Sequence, residues 1–157
     1  MINVLEGNVL DIPFGIVVHG CNSHGVMGSG IAKEVKARFP GAFKVYSEEY
    51  ACRVNKGCSG LELGSITVYD PPGTALIIVN AVTQQDYGRE PGHVYVDYDA
   101  MYTCFTKIKT IAIEKNMPVN FPLIGCGLAN GDWNIVSAII EDALGPDVEK
   151  ILWNFTP

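Results

Sequence analysis

Val17–Pro40 reads VVHGCNSHGVMGSGIAKEVKARFP. An apolar run leads into a loop of small residues, and the loop leads into an amphipathic segment. Ile31, Ala32, Val35 and Phe39 recur at helical spacing, with Lys33, Glu34, Lys36 and Arg38 on the opposite, water-facing side. The spacing predicts a helix over Ser29–Phe39, stopped by Pro40-Gly41. Gly25, Gly28 and Gly30 fall where the backbone must turn. A strand, a glycine loop and a helix N-terminus together can hold a phosphate, because main-chain N–H groups turn toward the anion and the helix dipole favours it. The same pattern also arises where a loop simply packs tightly beneath a helix. The glycine order, G-x-x-G-x-G, is not the dinucleotide fingerprint G-x-G-x-x-G, and no G-x-x-x-x-G-K-[ST] loop is present.

The rest of the chain bounds what this element can belong to. Its 157 residues suffice for one domain with a full core, and a single domain over 1–157 is expected. Hydrophobic residues make up 48% and charged residues only 18%, as in a sheet covered on both faces. The formal charge of −6 argues against general nucleic-acid binding, which needs basic surface, but leaves room for a local anion pocket. No apolar run is long enough for a membrane span, and no basic start followed by an apolar stretch opens the chain. Five cysteines without paired CxxC spacing read as free thiols, so a cytoplasmic location without a metal site is expected.

Outward from the opening stretch, strands and helices alternate. INVLEG reads as a strand ending at Gly7, and GIVVHGC as a central one. Residues 43–60 are ambiguous, with FKVYSEEYACRV a second helix on one reading. GSITVYD and ALIIVNAVT read as strands joined by Pro71-Pro72-Gly73. The polar stretch QQDYGREPGH is a surface loop long enough to carry function. Val96–Lys115 is a helix by its apolar stripe. PVNFPLIGCG is a strand entering a second glycine loop, Asp132 caps a further helix closed by Gly145-Pro146, and KILWNF is a last strand. The alternation predicts a layered α/β sheet, whose ligands bind at the carboxyl ends of the strands. Both glycine loops follow strands and neither carries lysine or arginine, so together they suit a diphosphate held by main-chain amides.

Three ordered motifs, EGNVL, VVHGCNSHGVMGSGIA and PLIGCGLANGDW, resemble those of the macrodomain family, and the resemblance covers nearly the whole chain. It implies a three-layer α/β/α fold around a central mixed sheet, and a ligand drawn from ADP-ribose and its derivatives. Asn8 and Val9 would meet the adenine. Cys21 and Asn22 would lie beside the distal ribose. Gly25, Val26, Met27, Gly28, Ser29, Gly30 and Ile31 would form one phosphate loop. Pro122, Ile124, Gly125, Cys126, Gly127, Leu128 and Ala129 would form the other. The Gly7-Asn8 and His19-Gly20-Cys21-Asn22 blocks are similar to the yeast-type ADP-ribose 1″-phosphate phosphatases. GCGL…W…VSAIIE is similar to the terminal ADP-ribose protein glycohydrolase branch and to bacterial DNA de-ADP-ribosylating antitoxins.

Departures from the family patterns bear on the activity. Where the glycohydrolase branch has a lysine this chain has Gln84-Gln85, and where some members have an aspartate it has Ala129. An amide cannot form the covalent adduct that a lysine amine can. The aspartate of the O-acetyl-ADP-ribose deacetylases is also missing at Gly30-Ile31-Ala32. The resemblance therefore implies a phosphatase acting on ADP-ribose 1″-phosphate. A deacetylase or mono-ADP-ribosyl hydrolase, and a non-catalytic ADP-ribose reader, stand as alternatives. No cofactor and a monomeric chain are expected.

Individual residues read two ways. His19 is either a buried, hydrogen-bonded strand residue or a general acid–base near the terminal ribose; the resemblance favours catalysis, with Asn22 orienting the ribose. His24, Arg89 and His93 are solvated loop residues or contacts for a terminal phosphate, and Asp86 is a solvated loop residue or a base. Cys126 reads as a small packing residue. Tyr87 and Phe155 stack on the ligand or belong to the core.

Overall fold

The computed structural model describes residues 1–156. Six strands, β1 (Asn3–Glu6), β2 (Phe14–Asn22), β3 (Ile66–Tyr69), β4 (Ala75–Gln84), β5 (Val119–Phe121) and β6 (Lys150–Asn154), form one sheet in the order β1-β6-β5-β2-β4-β3. All neighbours are parallel except β3 on β4. The sheet is thus mixed, and β2 and β4, buried almost throughout, are adjacent interior strands with a neighbour on each side.

Four helices cover it: α1 (Gly30–Arg38), α2 (Pro40–Asn55), α3 (Tyr98–Lys115) and α4 (Trp133–Leu144). Strand alternation divides the core between the two faces. Ile16, Val18, Val79 and Ala81 pack with Met101, Phe105 and Ile108 of α3 and Val136 and Ile140 of α4. Val17 and Ile78 point the other way, to Val35 of α1 and Ala42 of α2. The result is a three-layer α/β/α fold.

Two local readings change. Pro40 does end α1, but it also opens α2, at a position where a missing N–H costs the helix nothing. The ambiguous 43–60 segment is therefore helical as far as Asn55. A short 3-10 turn, Val9–Asp11, follows β1, with Asn8 as its cap.

Candidate functional site

A cavity of about 660 Å³ opens above the carboxyl ends of the parallel strands. Asn8, Val9, Trp153, Asn154 and Phe155 line its β1/β6 end, and Pro122–Ala129 line it above β5. Gly20, Cys21, Asn22 and Gly28–Ile31 line it above β2, and Gln84, Tyr87, Gly88 and Arg89 above β4. From β1 to β4 there are four strand-to-strand steps, roughly 19 Å at the usual spacing. The cavity is thus a trough suited to a long, narrow ligand.

The loop after β2 is fixed from beneath. Tyr46 donates its hydroxyl to the Asn22 carbonyl at 2.5 Å and lies 3.0 Å from Asn22 Oδ1. Burial pushes this phenol well above its ordinary range, so it stays a donor. Asn22 Oδ1 also accepts from the N–H of His24 at 2.9 Å, and its Nδ2 donates to the Val26 carbonyl at 2.9 Å. Among the described residues, the second N–H of the Asn22 amide, a cavity-wall residue, has no partner. Ser29 opens α1 without a side-chain capping bond. The N–H groups of Gly30, Ile31 and Ala32 stand at the cavity with no partner among the described residues, while that of Lys33 donates to the Ser29 carbonyl at 3.3 Å, and the positive end of the helix dipole adds to the free ones.

The second loop is held by main-chain bonds. Tyr95 N–H donates to the Ala129 carbonyl at 2.8 Å, and Gly131 N–H to the Gly125 carbonyl at 2.7 Å. Among the described residues, the N–H groups of Gly127, Leu128 and Ala129 donate to nothing. Cys126 is a cavity residue, but burial, then the nearby Asp132 carboxylate, push its thiol up to about 11. It is a neutral thiol at neutral pH. Asp132 caps α4 by accepting from the N–H of Asn134 at 2.9 Å.

Three residues expected at the ligand lie elsewhere. His19 is completely buried and absent from the cavity wall. It sits three residues below the end of β2, and alternation turns it toward α2, where its Nε2 lies 2.6 Å from Asn80 Oδ1. Burial lowers its pKa to about 4, with the Asn80 bond opposing in part. A direct catalytic role for His19 is corrected on these grounds: a neutral imidazole behind the strand reaches no ligand. Met27 is an anchor, buried with Cys21, Tyr46, Leu61 and Val82. Gly25 serves the turn: its φ is +78°, and a Cβ there would lie 2.7 Å from Tyr50 Cγ.

Of the loop residues that read two ways, Arg89 lines the cavity and is its sole cation among the described residues. His24 Nε2 and Asp86 Oδ1 pair at 2.8 Å outside the trough, and His93 packs on Tyr95. Tyr87 and Phe155 are exposed wall residues rather than core. Sequence reading missed Glu34, whose helical position turns it toward water. It does face solvent, but that solvent is the mouth of the cavity.

Known proteins share this architecture. A family model described as Macro domain matches residues 18–140. A protein of Thermus aquaticus named DNA ADP-ribosyl glycohydrolase is 26% identical over 100% of this chain, which spans only 41% of that relative's length. A protein of Scheffersomyces stipitis named ADP-ribose 1″-phosphate phosphatase is 27% identical, over 90% of this chain and 94% of its own. The solved macrodomain of Thermus aquaticus DarG superposes with a TM-score of 0.76 at 26% identity, covering 100% of this chain and 99% of that one.

Proposed function

The chain belongs to the Macro domain family, and from that premise we propose that its cavity binds ADP-ribose and that it hydrolyses ADP-ribose 1″-phosphate to ADP-ribose and phosphate. One observation carries the reading: the order of chemistry along the trough. Apolar side chains and a carboxylate lie at the β1/β6 end, uncommitted main-chain N–H groups in the middle, and the cation Arg89 at the β4 end. A base, a diphosphate and a ribose bearing a terminal anion match that order.

The two loops hold the diphosphate with main-chain N–H groups, which cost no side-chain entropy. The spare N–H of Asn22 takes a hydroxyl of the distal ribose. Arg89 faces the terminal phosphate and offsets its charge as it departs. Water adds across the ester, one product keeping the ribose hydroxyl and the other the phosphate. His19 is a positioning residue: with Asn80 it ties β2 to β4 and so sets where Asn22 stands.

Phosphate release from ADP-ribose 1″-phosphate by the purified chain is the test. Release is expected, with kcat/KM reduced about tenfold or more in Arg89→Ala and less in Arg89→Lys. No release by the unmodified chain overturns the hydrolytic reading, and binding alone then leaves an ADP-ribose reader. A second reading, removal of ADP-ribose from nucleic acid or protein, draws on the match to the Thermus relative along the whole of this chain. Against it, Gln84 presents an amide, not an amine, at the cavity wall. Gel assays on ADP-ribosylated DNA and protein decide it.

A further inference from the structure

Among the described residues, the β1/β6 end of the trough holds one carboxylate, that of Glu34 on α1. Its Oε1 accepts from Asn8 Nδ2 at 2.9 Å and lies 3.5 Å from Arg38 Nη1. Arg38 is held in turn by Asp11 at 2.7 Å and by the Leu10 carbonyl at 3.1 Å. This chain of bonds fixes the carboxylate at the cavity wall. Its other oxygen, Oε2, has no partner among the described residues.

Asn8, the neighbouring polar group, is engaged at both ends of its amide. Oδ1 accepts from the N–H of Leu10 at 2.9 Å and caps the 3-10 turn, while Nδ2 donates to Glu34. An amide both donates and accepts, so it discriminates poorly between an amine and a keto oxygen. An ionised carboxylate only accepts. Beside Glu34, Asn8 and Asn154, the wall at this end is made by the apolar Val9, Ile31, Trp153 and Phe155. Apolar walls with a single fixed carboxylate suit a flat ring whose edge carries an N–H donor.

We propose that Glu34 selects the base of the ligand, accepting from an exocyclic amine and disfavouring a keto group at the same place. The inference rests on the ADP-ribose reading and names the residue that makes the ligand an adenine nucleotide. A keto oxygen there would face a carboxylate oxygen with no proton between them, leaving two acceptors unpaired in a partly dry site.

Calorimetric titration with ADP-ribose and with its hypoxanthine analogue, inosine diphosphate ribose, tests this without any turnover. The unmodified chain should bind ADP-ribose about tenfold or more tightly than the analogue. Glu34→Gln keeps an oxygen for Asn8 and gains an N–H that suits a keto group, so the preference should shrink to about threefold or less, or reverse. Glu34→Asp keeps the charge but withdraws it by one methylene and should retain part of the preference. Thermal melts verify that both variants are folded, and the two affinities of the unmodified chain test the preference without any variant. Equal affinity for the two ligands in the unmodified chain, or full preference in folded Glu34→Gln, overturns the inference. Binding of neither ligand overturns the ADP-ribose reading beneath it, and the inference with it.

Discussion

His19 Nε2 stands 2.6 Å from Asn80 Oδ1, across a pair of adjacent interior strands and behind the ligand trough. The Asn80 amide is oriented by its own donors, since Nδ2 bonds the Ala42 carbonyl at 2.9 Å and Thr67 Oγ1 at 3.0 Å. Its oxygen therefore faces the imidazole, which must carry its proton on Nε2. His19 Nδ1 then has the Cys21 thiol at 3.8 Å, and burial pushes that thiol up, so it remains a neutral S–H. The network joins β2, β4, β3 and α2 without placing a charge in the core.

Acid should unfold the protein partly through His19. Its folded pKa is lowered to about 4, whereas an unfolded histidine titrates near 6.5. Between those values the unfolded chain binds a proton that the folded chain refuses. Stability is thus fully present above pH 6.5 and falls as pH drops toward 4, by about 3 kcal/mol from this group alone. Urea midpoints measured from pH 7 to pH 4 should show the loss, and it should shrink clearly in a folded His19→Gln variant.

Asn80→Ala should destabilise the fold by about 2–4 kcal/mol, because it strips partners from buried His19, the Ala42 carbonyl and Thr67 together. Denaturant unfolding measures this. A loss under about 1 kcal/mol would mean that the network is dispensable. Any effect on ligand affinity should appear as a weaker Asn22 contact and not as a lost catalytic group.

The parts of this architecture that were legible in the sequence share one property, a strong period. Val96–Lys115 announces a helix through Met101, Phe105, Ile108 and Ala112, and α3 begins at Tyr98. α2 is harder to read because only Ala42 and Tyr46 of its sixteen residues are buried, leaving almost no apolar stripe. Outside the periodic elements, the two glycine loops were legible as cavity walls, because each follows a strand at the carboxyl edge of the sheet, where ligand clefts form. His19 was misplaced for a physical reason: a sequence shows that a strand ends, but not how far below the sheet edge a given residue lies or which layer it faces. Glu34 was missed because a cavity mouth and open solvent select the same polar residues. Its contact with Asn8 joins residues 26 positions apart, which no local pattern reveals.

The glycines of the site should separate into turn-makers and space-makers. Gly25→Ala places a Cβ 2.7 Å from Tyr50 Cγ at a φ of +78°, so both backbone and packing are strained. About 2 kcal/mol of stability should be lost. Gly127→Ala meets nothing within 4 Å, so thermal unfolding should change by less than about 0.5 kcal/mol. Because Gly127 lines the cavity, the same methyl should still weaken ADP-ribose binding in a titration. Equal melting losses in the two variants would refute the separation.

Cys126 gives a sharp test of whether the site works by covalent chemistry. Its thiol lines the trough beside the main-chain donors, a position that invites a nucleophilic role. Yet burial and Asp132 push it up to about 11, against an ordinary thiol near 8.5, so little of it is thiolate at neutral pH. Cys126→Ala should keep phosphate release within about threefold of the unmodified chain, since only packing is lost. Alkylation of Cys126 by iodoacetamide at about pH 7.5 should be slower than that of the exposed Cys52, read by peptide mass spectrometry. Loss of turnover in Cys126→Ala, together with rapid alkylation of Cys126, would show a reactive thiolate and would place a covalent step in the trough.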